Sequence, residues 1–249
     1  MGRYQLSTEQ VVDGSGNPIN VATPLLPGDA QAVTAIHYGL TTAVTDRIGL
    51  AADPGAAQMV LDPPPAGAPS LCHVAGRWLH SLPAGARAAV EVVEIPAGIP
   101  GTVSMMHGLG AVPDFVAIMP TEAVAAVDWA ATAIDDTQID LANWDGANAV
   151  SVTVYAALLH SIDTPIDSSG PFLISLNGGG APVTFAHGLT RVPDFISVFP
   201  WSPGPGAQPA GMAVLGAVPD AVNLTLDANH AAGLLAVLCY CQATHSIQA

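Results

Sequence analysis

The apolar positions of this chain come in short runs, each ended by glycine, proline, aspartate or asparagine. DDTQIDL at 135–141 and SVTVYAALL at 151–159 alternate polar and apolar residues with the period of two that is typical of half-buried strands. Together with their richness in β-branched residues, these runs predict the following strands: 90–95, 103–106, 115–119, 138–141, 150–159, 172–176, 183–185, 195–199, 223–226 and 234–240.

A repeated motif divides the second part of the chain into two modules. Residues 107–120 read HGLGAVPDFVAIMP, and 80 positions later residues 187–200 read HGLTRVPDFISVFP. The agreement continues further along the chain, since IDDTQIDLAN matches VPDAVNLTLDAN and VSVTVYAALLHSI matches LLAVLCYCQATHSI. Internal similarity of this length indicates a duplication. The sequence therefore predicts tandem modules at 90–163 and 168–249.

Short strands separated by turn signals at intervals of about 8–12 residues favour a β-sandwich. An Ala-rich segment at 121–133 has some helical character, but its counterpart at 201–213 contains Pro203, Pro205 and Pro209, which a helix interior does not tolerate. Because repeats share a topology, 121–133 is interpreted as a loop followed by a strand. The predicted fold class is all-β, with tandem jelly-roll-like β-sandwich modules.

The chain before residue 90 lacks the motif. IHYGL at 36–40 is similar to the HGL start and CHVAGRWLHSL at 72–82 to the LLHSI end, so a degenerate third copy is one interpretation and chance similarity the other. Residues 1–30, with the turn cluster DGSGNP, are predicted to form an extended N-terminal attachment arm. Residues 31–89 are left as an undefined intermediate region, in which the Pro-rich segment 61–70 is predicted to be a stiff linker.

Each residue of the motif has a mechanical interpretation. Glycine permits a tight turn, proline ends the turn before the next strand, aspartate bonds to backbone amides and phenylalanine fills the core. The histidine is expected to hydrogen-bond across the turn. The alternative, a metal-binding or catalytic histidine, is disfavoured because neither histidine has ligand-spaced neighbours. The residues concerned are His107, Gly108, Pro113, Asp114, Phe115, His187, Gly188, Pro193, Asp194 and Phe195.

Charge and hydropathy exclude several partners. Of 249 residues, five are Lys or Arg and 20 are Asp or Glu, for a formal net charge of −15. Nucleic-acid binding needs clustered cations, and an anionic membrane surface would repel this chain. No apolar run approaches the roughly 20 residues of a membrane-spanning helix, and MGRYQLSTEQ lacks the apolar core of a secretory signal. The chain is therefore expected to be made in the cytoplasm or to have been processed before residue 1.

Composition also favours self-association. Half of the residues are hydrophobic and 10% are charged, which leaves little polar surface to cover a monomer. Because monomers rarely expose large apolar patches, a homo-oligomer is expected.

No familiar catalytic signature is present in the sequence. It contains no Walker loop, GxSxG elbow, HExxH or paired CxxC. NGGG at 177–180 and WDGAN at 144–148 are interpreted as hairpin turns. Asp135, Asp136 and Asp140 lack the spacing of a calcium loop and are assigned to a surface turn. Paired carboxylates for glycoside hydrolysis stay open, since such pairs need not be close in sequence.

The cysteines and histidines do not form a complete metal site. Cys72-His73 with His80, and Cys239 and Cys241 with His245, are the two groupings, and neither supplies four ligands at workable spacing. Cys239 and Cys241 would share one face of a strand, too constrained for an ordinary disulfide, so free buried thiols are expected. No catalytic, cofactor-binding or metal-binding residue is predicted, and no cofactor.

The motif does resemble something known. HGLG-x-VP-x-x-V, followed by a short β-module, is similar to modules in virion structural proteins of tailed bacteriophages, such as fibres, spikes and head-decoration proteins. The segment VVDGSGNPINVATP resembles the attachment segments that begin some phage appendage proteins. The resemblance carries no catalytic residues with it. The long repetitive shaft of a fibre is missing, which favours a short capsid- or tail-attached spike or decoration.

The expected function is therefore that of a non-enzymatic virion structural protein, located in the virion. It would be a homotrimer attached to other capsid or tail proteins through its N-terminal arm. The alternative is a carbohydrate-binding adhesin module for a host receptor, with Trp129, Trp144 and Trp201 as candidate stacking residues. An enzyme of unrecognised type is a third hypothesis. No nucleic-acid partner and no membrane insertion are expected.

Overall fold

The computed structural model describes ten parts of the chain, which contain 20 strands and no helix. These parts are residues 4–12, 19–22, 32–37, 46–50 without 48, 58–62, 70–78, 88–158 without 122–123 and 126–128, 168–203 without 194, 211–228 and 233–242. The predicted all-β fold built from β-sandwich-like modules is confirmed.

The strands fall into three successive units rather than two. The first unit (4–78) contains β1 (Tyr4–Val12), β2 (Ile19–Ala22), β3 (Ala32–His37), β4 (Asp46–Arg47), β5 (Gly49–Leu50), β6 (Gln58–Asp62) and β7 (Ser70–Trp78). The second unit (88–158) contains β8 (Ala88–Ile95), β9 (Gly101–Met106), β10 (Phe115–Pro120), β11 (Val124–Ala125), β12 (Trp129–Ile134), β13 (Gln138–Asn143) and β14 (Val150–Ala157). The third unit (168–242) contains β15 (Ser168–Asn177), β16 (Val183–Ala186), β17 (Phe195–Pro200), β18 (Ala213–Leu215), β19 (Asn223–Ala228) and β20 (Leu234–Gln242).

Each predicted strand of the second and third units coincides with an observed one to within a few residues. The interpretation of 121–133 as loop plus strand is also confirmed, since β12 begins at Trp129. Side-chain exposure alternates along these strands, as the sequence pattern predicts. In β9, exposed residues alternate with partly or fully buried ones, and in the first half of β14, buried residues alternate with partly buried ones.

All three units have one topology, made of two three-stranded antiparallel sheets. In the sheet that we name the long sheet, the last strand of the unit lies between its first and third strands, in the orders β1-β7-β3, β8-β14-β10 and β15-β20-β17. In the other, the short sheet, the orders are β2-β6-β5, β9-β13-β12 and β16-β19-β18. In the second unit, side chains of both sheets, Val93 and Ile95 from one and Leu141 from the other, share one core.

The registers of the long sheets show that the first unit is a true counterpart of the others. Ala32 pairs with Arg77, Phe115 with Ala157 and Phe195 with Gln242, each at the start of the third strand. Two parts of the predicted arm at 1–30, residues 4–12 and 19–22, therefore lie in the sheets of this unit. β1 pairs with β7 over nine residues and β2 pairs with β6, because a strand satisfies its backbone donors and acceptors by joining a sheet.

The other predictions for the first third of the chain also change. The Pro-rich segment 61–70 is not a linker between units, because it begins within β6 and ends at β7. The proposed match of IHYGL to the HGL start is out of register, since HGL precedes the third strand and IHYGL begins within β3. The match of 72–82 to the module end agrees with the place of β7, whereas residues 79–82 lie outside the described parts.

The three units pack in a closed cycle. Their third strands, β3, β10 and β17, contact one another. In addition, β5 of the first unit contacts β10 of the second, β12 of the second contacts β17 of the third, and β18 of the third contacts β3 of the first. The same kind of contact thus links the first unit to the second, the second to the third and the third to the first. The arrangement is therefore pseudo-three-fold, with β3, β10 and β17 around the axis. All six residues of β10 are buried as a result.

Candidate functional site

The histidines of the motif hold two loops together in each unit. The backbone N–H of Leu109 donates to His107 Nδ1 at 3.2 Å, and Nε2 of the same ring lies 3.1 Å from the carbonyl oxygen of Asp135. Because a carbonyl only accepts, the ring carries its proton on Nε2. In the third unit, His187 makes the equivalent bonds at 3.1 Å and 3.0 Å. The predicted structural role of the histidines is confirmed.

The glycine after each histidine makes this geometry possible. Gly108 and Gly188 have φ angles of 63° and 75°, in the left-handed region that favours glycine. A Cβ at either position would meet no atom within 4 Å, so backbone conformation and not space selects glycine. Phe115 and Phe195 are fully buried, as predicted from the motif. The motif is therefore a loop-holding and core-forming element.

Aspartates order the turns that the histidines contact. Asp135 Oδ1 accepts from the backbone N–H of Thr137 and of Gln138 and from the Thr137 hydroxyl, at 2.7, 2.8 and 2.7 Å. Asp220 accepts from two backbone N–H groups in the equivalent turn. These bonds, led by the Thr137 hydroxyl for Asp135, hold the pKa of both carboxyls below the ordinary value. The predicted surface turn at 135–138 is confirmed.

Asp140 does not join that turn. Its Oδ1 accepts from the Ser104 hydroxyl at 2.6 Å and from the Gln138 side-chain amide at 2.8 Å, on the outer face of the short sheet. Within the described residues, no group of three or more His, Cys, Asp or Glu side chains is placed to hold a metal ion. His80 and His245 of the two metal-like groupings lie outside those residues.

The cysteine pair lies in the core of the third unit. Cys239 and Cys241 are both fully buried on one face of β20, with their Sγ atoms 3.9 Å apart and no disulfide. Burial, with the neighbouring thiol second, raises the pKa of Cys239 above its ordinary value. The prediction of free buried thiols is confirmed for this pair, and the protonated thiol of Cys239 is a poor nucleophile.

The three candidate tryptophans have different environments. Trp129 is buried to 1% exposure, and Trp201 is half-buried against the core that the second and third units share. Trp144 is also half-buried, but it lies in the loop between β13 and β14 and is not part of that core. Among these three side chains, Trp144 offers the best surface for stacking on a sugar.

The two predicted hairpin turns join different sheets. The loop at 144–148 leads from β13 in the short sheet to β14 in the long sheet, and NGGG leads from β15 to β16 in the same way. NGGG is a tight turn, since Gly180 N–H donates to Asn177 O at 2.9 Å and Gly179 has a φ of 70°. The hairpin assignment was wrong because consecutive strands of a sandwich often change sheets, which local turn signals do not reveal.

Two important groups of residues gave no signal in the sequence. Asn143 is fully buried and its amide donates to Asn148 O at 2.8 Å and to Pro96 O at 3.2 Å, which ties together two loops of the second unit. The axis-facing side chains of β3, β10 and β17 look like ordinary core residues in the sequence. Only the packing of the units shows that they form an interface.

The joint between the second and third units, where β10 meets β17, is aromatic. The centroid of the Phe115 ring lies 5.2 Å from that of Phe195, 5.7 Å from that of Tyr240 and 6.3 Å from that of Tyr155, and each pair of rings is edge-to-face. Burial raises the pKa of Tyr240 well above its ordinary value. These aromatic side chains therefore connect the second and third units through one apolar core.

Comparison of the chain with protein-family models, curated proteins and solved structures finds no match. Among the described residues, no helix has the length and apolar character needed to cross a bilayer.

Proposed function

We propose that this chain is a non-enzymatic structural protein of a tailed-bacteriophage virion, a decoration or spike attached to the capsid or tail. The observation that carries the proposal is the closed cycle of three β-units. The units share one topology, and each packs its third strand against the other two units. Such packing suits a particle component that must be rigid and must present a surface. The net charge of −15 would keep its exterior soluble.

The chemistry of the repeated motif supports the same proposal. His107 and Asp135, two polar side chains that could have served catalysis, use their hydrogen-bonding atoms on the backbone of their own loops. The equivalent residues of the third unit do the same. A catalytic histidine needs a nitrogen that is free to exchange a proton with a substrate.

Attachment to the particle has to be proposed without a free arm. Residues 4–12 and 19–22 are held in sheets, so the contact with capsid or tail proteins would be made by the surface of the folded units. The homo-oligomer expected from composition stays part of the proposal, with a trimer as its form in the virion. Light scattering after size-exclusion chromatography tests it, since a trimer has three times the chain mass of 25.1 kDa and a monomer has that mass alone.

Particles of the virus that carries the gene provide the decisive test. Mass spectrometry of gradient-purified particles is expected to find the protein at a fixed ratio to the major capsid protein. Particles made without the gene should lose a discrete feature in cryo-electron micrographs. Recovery of the protein only from the particle-free fraction would overturn the proposal.

A second candidate function, a carbohydrate-binding adhesin for a host receptor, is favoured by the position of Trp144. Its ring is half-buried in an exposed loop. The Asp145 carboxylate orders that loop by accepting hydrogen bonds from the backbone N–H groups of Ala147 and Asn148 and from the Asn148 side-chain amide. A fixed loop with an aromatic ring is a suitable platform for a sugar face. Glycan-array binding that is lost in Trp144→Ala and kept in Trp144→Phe would favour this function, and absence of any glycan signal would count against it.

A further inference from the structure

A small cavity lies where the three units meet. It has a volume of about 50 Å³, and its lining includes residues of all three axial strands: 34–36 of β3, 118–120 of β10 and 198–200 of β17. Trp129 and Met212 add to the lining from β12 and from the residue before β18. Because all three units contribute to it, we name it the axial cavity.

The lining contains a polar atom whose hydrogen-bonding capacity is unused by the protein. Thr34 is 4% exposed, and its Oγ1 has no hydrogen-bond partner among the described residues. A hydroxyl buried without a partner costs about 1–3 kcal/mol, so such groups are usually satisfied by ordered water when the space allows it. A single water needs roughly 10–15 Å³ of space of this kind, which the axial cavity exceeds.

Backbone groups of the axial strands face the same region. Thr121 N–H donates to Ser151 O and Trp201 N–H donates to Ala236 O, each pair continuing the ladder between the third strand and the last strand. Hydrogen-bonded pairs recur at every second residue of an antiparallel ladder, so the N–H and C=O of Ile118 and Val198 point away from the sheet. Both residues line the axial cavity. Ile118 and Val198, whose backbone groups face away from their sheets, thus stand beside Thr34 in the lining of the cavity.

We propose that the axial cavity is a hydration site, in which ordered water hydrogen-bonds to the Thr34 hydroxyl and to the edge-facing backbone of Ile118 and Val198. The site lies where the three joints meet, because Thr34 comes from β3, Ile118 from β10 and Val198 from β17. Its water-mediated contacts would complement the aromatic packing beside it, where the rings of Phe115 and Phe195 meet edge to face.

Crystallography of the full chain, with and without xenon pressure, tests the proposal. Xenon enters apolar cavities that water leaves dry. In the wild-type protein, we expect a water peak at hydrogen-bonding distance from Thr34 Oγ1 and no xenon peak. Thr34→Val keeps the shape of the side chain and removes its hydroxyl, so the water peak nearest residue 34 should be lost and xenon occupancy should appear.

Ser197→Ala is the matched control. Ser197 is the third residue of β17 as Thr34 is of β3, it is 1% exposed, and its hydroxyl also has no partner among the described residues, yet it does not line the cavity. Its replacement should leave the water peak unchanged. A xenon peak without water in the wild type, or an unchanged water peak in Thr34→Val, would overturn the proposal. If Thr34→Val does not fold, the wild-type crystals alone decide between a wet and a dry cavity.

Discussion

The first unit and the two units that follow share a topology but not a sequence motif. At the start of the third strand, the second and third units have Phe115 and Phe195, whereas the first has Ala32. Opposite the middle of that strand, Tyr155 and Tyr240 correspond to Ala75. The comparison teaches that strand order and register survive without the aromatic residues and without the HGL and VPDF signals.

The difference lies in how the units meet. Large aromatic side chains fill the joint between the second and third units, and each such ring buries far more apolar area than an alanine. The first unit is joined to the second by a strand pair instead, because β4 pairs with β11 at Arg47–Val124 and Asp46–Ala125.

The largest expected effect comes from giving the second unit the residue that the first unit has. Phe115→Ala should lower the free energy of unfolding by about 3–5 kcal/mol, because it removes a fully buried ring that contacts three others. Urea denaturation followed by circular dichroism measures it. Phe172→Ala, which removes a partly buried ring on β15 near Phe185, is the control and should cost less. Equal losses would show that the joint is not a special source of stability.

The next effect concerns the histidine that the first unit lacks. His107→Ala should lower the free energy of unfolding by about 1–3 kcal/mol, because it leaves Leu109 N–H and Asp135 C=O without their partner. His107→Asn can still accept from Leu109 N–H, and His107→Gln can still reach Asp135 C=O, so each should recover part of the loss. Denaturant titration of the four proteins gives the order. If both replacements match alanine, the two hydrogen bonds do not carry the effect.

A smaller effect is expected at the glycine of the same loop. Gly108→Ala should cost about 1–2 kcal/mol, because it places a Cβ on a left-handed residue without any steric clash. Gly188→Ala should cost a similar amount, since the loop is the same. Gly108→Asn should cost less, as asparagine tolerates this conformation. Differential scanning calorimetry is sensitive enough, and a neutral Gly108→Ala would contradict the assigned backbone angle.

The smallest effect is the pH dependence of the turns. The folded-state pKa of Asp135 lies below the ordinary value of 3.8, so its carboxylate stabilises the folded chain fully above that pH and loses this effect as pH falls through the folded pKa. The gap in thermal midpoint between wild type and Asp135→Asn should therefore narrow below pH 3.8. Asp136→Asn removes a neighbouring carboxylate and is the matched control for the change in net charge. A gap independent of pH would indicate that the carboxylate charge is not involved.

The strands of the second and third units were predictable because each bears its own signals. Alternation, β-branched residues and flanking Gly, Pro or Asp mark β9, β13 and β14 in the sequence alone. The first unit was missed because its third strand, AVTAIH, carries neither the phenylalanine nor the proline that identify β10 and β17. The strands of the first unit can be identified only from the strands with which they pair, and those partners lie far away in the sequence.

The role of the motif was also predictable, because its chemistry is local. His107 and Gly108 act on the backbone within or next to their own loop, and His187 and Gly188 repeat the arrangement in the third unit. The hairpin assignments failed for the opposite reason. A turn sequence fixes the direction of the chain over a few residues but not the sheet to which the next strand belongs.

The sequence by itself determined most strands of the second and third units, the duplication and the mechanical role of the histidine and glycine of the motif, since each depends on side chains acting on nearby backbone. Only the tertiary structure decided that there are three units, that they close a cycle and that Thr34, Ile118 and Val198 share a cavity. Apolar residues attract one another without direction, so their pattern says that a face is buried but not which face covers it.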